Sequence, residues 1–209
     1  MDCLVSNRPD GNALTVAATR LGAVADQGQV KTDELDPQAE ARRRLALAQI
    51  RQYPDPVLRL RSHEVEAFDA DLAQLVDRMA RLMQDASGVG LAANQVGVLR
   101  RVFVLQAVDG EEPRALVNPA IVDRSDEAEP DAEGCLSLQG VVVPVERATR
   151  IRLEARDPQG EPVELELEGL AARVAQHEVD HLDGILIVDR TTPEGRREAL
   201  AVLRQTAAI

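Results

Sequence analysis

The chain has 209 residues, 44% of them hydrophobic, and a formal net charge of −12. This length and apolar content are typical of one domain with its own core, and they leave little room for a second domain. The acidic balance argues against a broad nucleic-acid surface, so we expect a soluble protein without direct, specific nucleic-acid binding.

The first 46 residues show no sustained helical or strand period. They mix small, polar and charged residues, so we predict a loosely ordered N-terminal extension over 1–46 and a folded domain over 47–209. Near the end of this extension, Asp36 followed by Pro37 predicts a short helix that reaches Leu47.

Clear periodicity begins after the turn Tyr53-Pro54-Asp55-Pro56. Asp69 is a candidate helix cap, and the Leu and Met residues that follow it recur at helical spacing up to Ser87-Gly88. We interpret this apolar stripe as core. Later segments with apolar runs or alternating polarity predict strands over 101–107, 115–122, 141–145, 149–156 and 162–168.

The last two predicted strands are joined by Asp157-Pro158-Gln159-Gly160, a typical hairpin turn. A helix is predicted over 170–182, with Gly184 closing it, and a last helix over 192–205. Strands that surround a few helices, without regular alternation of strand and helix, indicate an α+β fold.

Two of the chain's three histidines lie in the predicted helix 170–182, in the segment Gln176-His177-Glu178-Val179-Asp180-His181. A spacing of four residues places both imidazoles on one helix face, where they can bind a single metal ion. Glu178 lies beside the first histidine, close enough to take a proton from a water on that metal. The segment predicts a metallohydrolase, and a peptidase is the first interpretation.

A cysteine offers a third ligand in the segment Glu133-Gly134-Cys135-Leu136-Ser137. A single cysteine is usually a small buried apolar residue. Here, however, the chain already offers two histidines with metal-ligand spacing. One thiolate and two imidazoles leave a fourth tetrahedral position for water, as in a catalytic rather than a structural site.

The glycine-rich segment 88–97 reads Gly-Val-Gly-Leu-Ala-Ala-Asn-Gln-Val-Gly. Glycines two residues apart let a backbone run close to a ligand, although a tight helix-to-strand connection is an equal interpretation. Gln95 is a candidate catalytic residue because an amide N–H can stabilise a developing oxyanion.

Taken in order, the stretches GVGLAANQ, EGCLS and QHEVDH resemble the three signature motifs of the peptide deformylases, accompanied by YPDPVLR and VNPAIV. The resemblance runs from about Gln49 to the final helix and leaves out the extension. It implies a deformylase-like α+β fold, with antiparallel or mixed sheets around a central helix that bears the HExxH motif, and a C-terminal helix.

The resemblance also implies the reaction. The family is a group of metal-dependent hydrolases that remove the formyl group from the N-terminal formylmethionine of newly made polypeptides and release formate. Cys135, His177 and His181 would bind one divalent ion, ferrous iron natively, with zinc, nickel or cobalt able to occupy the same site. Glu178 would take a proton from water and deliver it to the leaving amine.

Further roles follow only from the resemblance. Gln95 and the backbone N–H of Leu136 would hold the oxyanion, and Gly90 and Glu133 would position the substrate or its loop. The methionine pocket would be lined by Val89, Leu170, Val174 and the ring of His177.

Two alternatives remain open at this point. A metallopeptidase with the same HExxH motif takes its third ligand downstream, but no histidine follows His181. A catalytically inactive homologue acting as a binding protein is disfavoured because every motif residue is intact.

Asn94 and Gln139 stand where many relatives have proline, and we expect local flexibility there. Arg173 lies near the pocket rim, with its guanidinium reaching solvent or a carboxylate.

The expected partners are formylmethionyl nascent peptides, and we expect a monomer. No apolar run approaches the roughly 20 residues of a membrane span, so no membrane contact is predicted. Two cysteines do not make a disulfide framework, which favours the cytoplasm. The last helix, with Arg196, Arg197 and Arg204, is a candidate ribosome contact.

Overall fold

A computed structural model of the chain describes residues 36–107 and 112–206, so most of the predicted extension lies outside the described residues. Within these ranges the helices are α1 (Pro37–Leu47), α2 (Ala70–Asp85), α3 (Gly169–Leu182), α4 (Ile187–Arg190) and α5 (Pro193–Thr206), with 3-10 helices at Pro56–Arg59 and Ala93–Val96. The strands are β1 (Gly90–Ala92), β2 (Val102–Leu105), β3 (Arg114–Arg124), β4 (Ala128–Gly134), β5 (Val142–Ala148), β6 (Arg150–Arg156) and β7 (Pro162–Glu168).

The first two helices begin at the predicted caps. The Asp36 carboxylate accepts a hydrogen bond from the N–H of Gln38 at 3.3 Å, and Asp69 accepts one from Leu72 at 3.0 Å. A side-chain oxygen that satisfies an unpaired N–H of the first turn stabilises a helix start by about 1 kcal/mol. The stripe on α2 is core, as predicted, and its buried members are Leu72, Met79, Leu82 and Met83.

The described strands form two antiparallel sheets. The larger sheet has the order β1-β2-β3-β6-β7, and β4 pairs with β5 in a separate two-stranded ribbon. The hairpin predicted between β6 and β7 is present, and Gly160 adopts φ +92°, which favours glycine in its turn. The structure adds β1 and β4, which were not predicted as strands.

Strand β3 continues through Pro119. Its register against β6 shifts between Val117 and Ala120, where Asn118 adopts φ +51°. A proline cannot donate to the strand ladder, and a bulge accommodates it. The Asn118 side chain compensates by bonding both the N–H and the carbonyl of Val65, at 2.8 and 2.9 Å.

Helix α3 occupies the centre of the fold, as predicted. One face packs on the large sheet, where its buried apolar residues join those of β2, β3 and β6 in one cluster. The helix ends before Gly184, where a Cβ would lie 2.5 Å from the carbonyl oxygen of Arg59. The α+β class and the C-terminal helix are therefore confirmed. None of the helices in the described ranges is long and apolar enough to cross a membrane.

Candidate active site

The three candidate metal ligands meet at one point. Cys135 directly follows β4, and His177 and His181 lie one turn apart on α3. Their ligand atoms all lie within 4.8 Å of one another, with Cys135 Sγ 3.2 Å from His181 Nε2. One soft thiolate and two imidazoles suit a divalent transition-metal ion and leave a coordination position open. The donor set therefore fits the ion that the motifs imply.

A buried carboxylate orients the first histidine. Glu133 Oε2 lies 3.0 Å from His177 Nδ1, so His177 Nε2 is left for the ligand cluster. Arg147 binds both Glu133 oxygens, with Nε–Oε1 and Nη2–Oε2 distances of 2.9 and 3.0 Å. Burial alone would raise the pKa of Glu133, but the hydrogen bonds from His177 and Arg147 lower it to about 2. Glu133 is therefore an anion at neutral pH.

The two imidazoles have different proton affinities in the metal-free protein. Burial lowers the pKa of His181 well below its ordinary value, which keeps that ring in the neutral, metal-binding form. Burial would also lower the pKa of His177, but hydrogen bonds with Cys135 and Glu133 raise it well above the ordinary value. Metal binding must therefore displace a proton from His177.

Glu178 is a buried carboxyl beside the ligand cluster. Its side chain is 3% exposed, and Oε2 has no hydrogen-bond partner among the described protein atoms. Burial raises the pKa of Glu178 to about 7. A carboxyl with a pKa near neutrality is suited to both accept and return a proton.

Gly90 lies directly against Glu178. A Cβ at this position would lie 2.3 Å from Glu178 Oε1 and 2.9 Å from Val174 Cγ1. Only glycine lets β1 approach this carboxyl so closely. Val174 is buried, whereas Val89 and Leu170, the other apolar residues of the predicted pocket, are 37% and 39% exposed. The structure thus brings Gly90, Val174 and Glu178 together and leaves two apolar side chains at the surface.

Gln95 is held with its amide nitrogen toward the ligands. It lies in the 3-10 helix after β1, and its Oε1 accepts a hydrogen bond from the N–H of Ala92 at 2.8 Å. Its Nε2 lies 3.1 Å from Ser137 Oγ and 3.7 Å from Cys135 Sγ. The carbonyl of Leu136, the residue after Cys135, accepts a hydrogen bond from Gln52 Nε2 at 3.0 Å. Gln95 and Leu136 are therefore held by hydrogen bonds beside the Cys135 sulfur.

The sequence interpretation missed a buried ionic network behind the ligands. Arg147 on β5 joins Glu133 to Asp180, with an Nη1–Oδ2 distance of 2.5 Å, and Arg190 also binds Asp180. The sequence held one signal for this network, namely Asp180. It is an acidic residue directly before the ligand His181, on a helix that is buried at most of its positions. Arg173 sends its guanidinium to the Glu133 carboxylate, at 2.9 Å, rather than to solvent.

Asn94, one of the two positions where local flexibility is expected, lies in the 3-10 helix Ala93–Val96. Asn94 is fully buried, and its Nδ2 donates to the carbonyl oxygen of His181 at 2.6 Å. The bond joins the segment that carries Gln95 to the end of the ligand helix. A proline at this position has no side-chain donor, so this contact depends on the asparagine.

Comparison with known proteins gives a consistent match. The family model described as polypeptide deformylase matches residues 47–197. The peptide deformylase of Thermotoga maritima is 48% identical over 147 residues, which are 70% of this chain and 88% of that protein. Peptide deformylase 1 of Corynebacterium efficiens is 44% identical over 162 residues, which are 77% of this chain and 96% of the relative.

A solved structure agrees with these sequences. The crystal structure of a peptide deformylase from Legionella pneumophila matches with a TM-score of 0.72 at 41% identity, over 76% of this chain and 94% of that one. The family model spans well over half of the chain, and the relatives are matched over most of their own length. The chain therefore belongs to the peptide deformylases, a family of metallo-amidohydrolases.

Proposed function

We propose that the ligand cluster and Glu178 remove the formyl group from the N-terminal formylmethionine of newly synthesised polypeptides, releasing formate. The single observation that supports this most directly is the meeting of Cys135, His177 and His181 beside a buried carboxyl with a pKa of about 7. A formamide is a stable amide, so its hydrolysis needs both an activated water and a polarised carbonyl.

In this proposal each residue has a defined task. Cys135, His177 and His181 would hold a divalent ion, which supplies Lewis acidity toward water and the formyl oxygen. Glu178 accepts the proton of the attacking water and returns it to the leaving amine. Gln95 Nε2 donates a hydrogen bond to the formyl oxygen as charge develops on it.

The remaining proposed roles concern the substrate. The backbone N–H of Leu136 is the second donor to the formyl oxygen, and Glu133 keeps the His177 ring in place. The backbone of Gly90 runs beside the substrate. The methionine side chain packs on the apolar residues near Glu178, an environment suited to a flexible thioether. Its proposed lining is Val89, Leu170, Val174 and the His177 ring.

The finer assignments are further parts of the proposal. Ferrous iron is the proposed native ion, although the ligand set suits zinc, nickel and cobalt as well.

We expect a cytoplasmic monomer that meets nascent chains at the ribosome through α5. On that helix, Arg196 and Arg197 lie 3.7 and 2.9 Å from Asp189 and Glu194, so a ribosome contact must compete with these ion pairs. Reversing both arginine charges should lower co-sedimentation with ribosomes.

A formate-release assay with a matched pair of variants tests the proposed chemistry. Protein purified without oxygen should release formate from a formylmethionyl peptide. Glu178→Ala should retain the bound metal and lose roughly 100-fold or more in kcat, because proton transfer contributes about that much. Glu198→Ala, at an exposed position on α5, is the control and should behave as wild type. A metal-loaded Glu178→Ala protein with full turnover would contradict the role of Glu178.

A further inference from the structure

The candidate metal ligands are divided between two separate elements. Cys135 follows β4 of the ribbon, whereas His177 and His181 belong to α3. The position of the thiolate relative to the imidazoles therefore depends on how the ribbon docks on the helix. Strand β4 contributes little apolar packing to this docking, because Glu133 is the one buried residue among its seven.

Arg173 bridges the helix to both strands of the ribbon. It lies one turn before His177 on α3, and only 8% of it is exposed. Its Nη1 donates to Glu133 Oε1 at 2.9 Å and to the Val145 carbonyl oxygen on β5 at 2.8 Å. Its Nη2 donates to the Glu129 carbonyl oxygen at 2.7 Å. One guanidinium thus contacts β4 at two positions four residues apart, and β5 as well.

Arg173 is not needed to neutralise Glu133. Arg147 already binds both oxygens of that carboxylate, and His177 Nδ1 contacts Oε2. What Arg173 adds is the pair of bonds to the main-chain carbonyls of Val145 and Glu129. These bonds constrain the ribbon backbone rather than the charge of Glu133.

We infer that Arg173 is a positioning residue, which fixes the β4–β5 ribbon on α3 and thereby sets the distance from Cys135 Sγ to the two imidazoles. The inference rests on the proposed metal site. A guanidinium is suited to this role because its planar fork presents several N–H donors at once, whereas a lysine ammonium is a single point charge on a flexible stem.

A charge role and a positioning role of Arg173 predict opposite changes in the rate of metal release. Arg173 is a buried cation near the ligands of a divalent ion, so its electrostatic effect is to weaken metal binding. Its removal would then slow metal release. If Arg173 instead holds the ribbon in place, its removal leaves the thiolate free to move away from the imidazoles, and metal release becomes faster.

The test compares Arg173→Met, Arg173→Lys and a control, Arg152→Met. Arg152 is 44% exposed and pairs with Glu164 on the large sheet, so its removal tests the loss of an arginine outside the ribbon. The first readout is hydrogen exchange of the metal-free proteins. We expect faster exchange of the β4 amides in both Arg173 variants, with β6 and β7 unchanged. Wild-type exchange of β4 in both variants would overturn the inference.

The second readout is the release of cobalt(II) to a chelator, followed with its visible spectrum. Both Arg173 variants should release the ion roughly 10-fold faster, at the lower end of the usual effect of outer ligand partners. Slower release from Arg173→Met, together with wild-type release from Arg173→Lys, would assign a charge role and overturn positioning. Faster β4 exchange with unchanged release in both variants would instead contradict the ligand assignment of Cys135.

Discussion

Replacing Glu178 with glutamine should stabilise the metal-free protein at high pH but not at low pH. Burial raises the pKa of Glu178 from its ordinary value of 4.5 to about 7 in the folded protein. The unfolded chain therefore releases this proton first, and the stability of the metal-free wild type falls as the pH rises from about 4.5 to about 7. Glutamine stays neutral throughout and avoids this loss.

The magnitude follows from the two pKa values of Glu178. The difference between 4.5 and about 7 corresponds to roughly 3 kcal/mol of unfolding free energy, at about 1.4 kcal/mol per pKa unit. The charge of His177 lowers the pKa of Glu178, and this effect is already contained in the value of about 7.

Urea denaturation measures this difference directly. Metal-free wild type and Glu178→Gln are unfolded at about pH 4 and about pH 8, with chelator and reductant present. The variant should gain roughly 3 kcal/mol over the wild type at the higher pH relative to the lower one. Glu164→Gln, at an exposed side chain, serves as the control. If the difference in unfolding free energy between variant and wild type were equal at both pH values, the pKa of Glu178 would not be raised in the folded protein. The proposed proton transfer depends on that raised pKa.

Three further changes test the surroundings of the site. Gly90→Ala should displace the Glu178 carboxylate, because its Cβ would lie 2.3 Å from Oε1, and should lower kcat at least about 10-fold while metal content is kept. Asn94→Ala should lower the unfolding free energy by about 1–3 kcal/mol in denaturant titration, because the carbonyl of His181 loses a buried donor. Glu133→Gln should reduce the loss of unfolding free energy that an acid denaturation curve measures. The ionised Glu133 stabilises the folded protein above about pH 4.5, and this contribution is lost as the pH falls toward the folded-state pKa of about 2.

Each of these predictions has an outcome that contradicts it. Full activity of Gly90→Ala would show that Glu178 moves aside without cost. For Asn94→Ala, unchanged stability would mean that water replaces the amide. An acid denaturation curve of Glu133→Gln identical to that of wild type would show that the Glu133 carboxylate does not stabilise the folded state through its charge.

The sequence was sufficient where a structural signal is local. The cap at Asp69 and the apolar spacing behind it predicted α2, and alternation with a turn sequence predicted the β6–β7 hairpin. Both signals depend only on residues that are close together in the sequence. The approach of Cys135 to His177 and His181 was also anticipated, but from the resemblance and from ligand chemistry rather than from any local pattern.

The sequence was insufficient where structure depends on distant partners. Strand β4 is acidic and largely exposed, and it becomes a strand because residues 128–134 pair with residues 142–148. No local propensity marks such a strand. Similarly, nothing in the sequence distinguishes Arg147 and Asp180 from ordinary surface charges. In the fold each is less than a tenth exposed, and Arg147 Nη1 lies 2.5 Å from Asp180 Oδ2. Only the fold makes them mutual partners.

We propose that this chain hydrolyses a formyl group at a metal held by Cys135, His177 and His181. The most direct measurement is product analysis of one peptide, formylmethionyl at its N-terminus and several residues long, incubated with metal-loaded, oxygen-free protein. We expect one formate per peptide, an intact deformylated peptide, and loss of both metal and formate release in His181→Ala. Cleavage of internal peptide bonds without formate would contradict the proposed reaction.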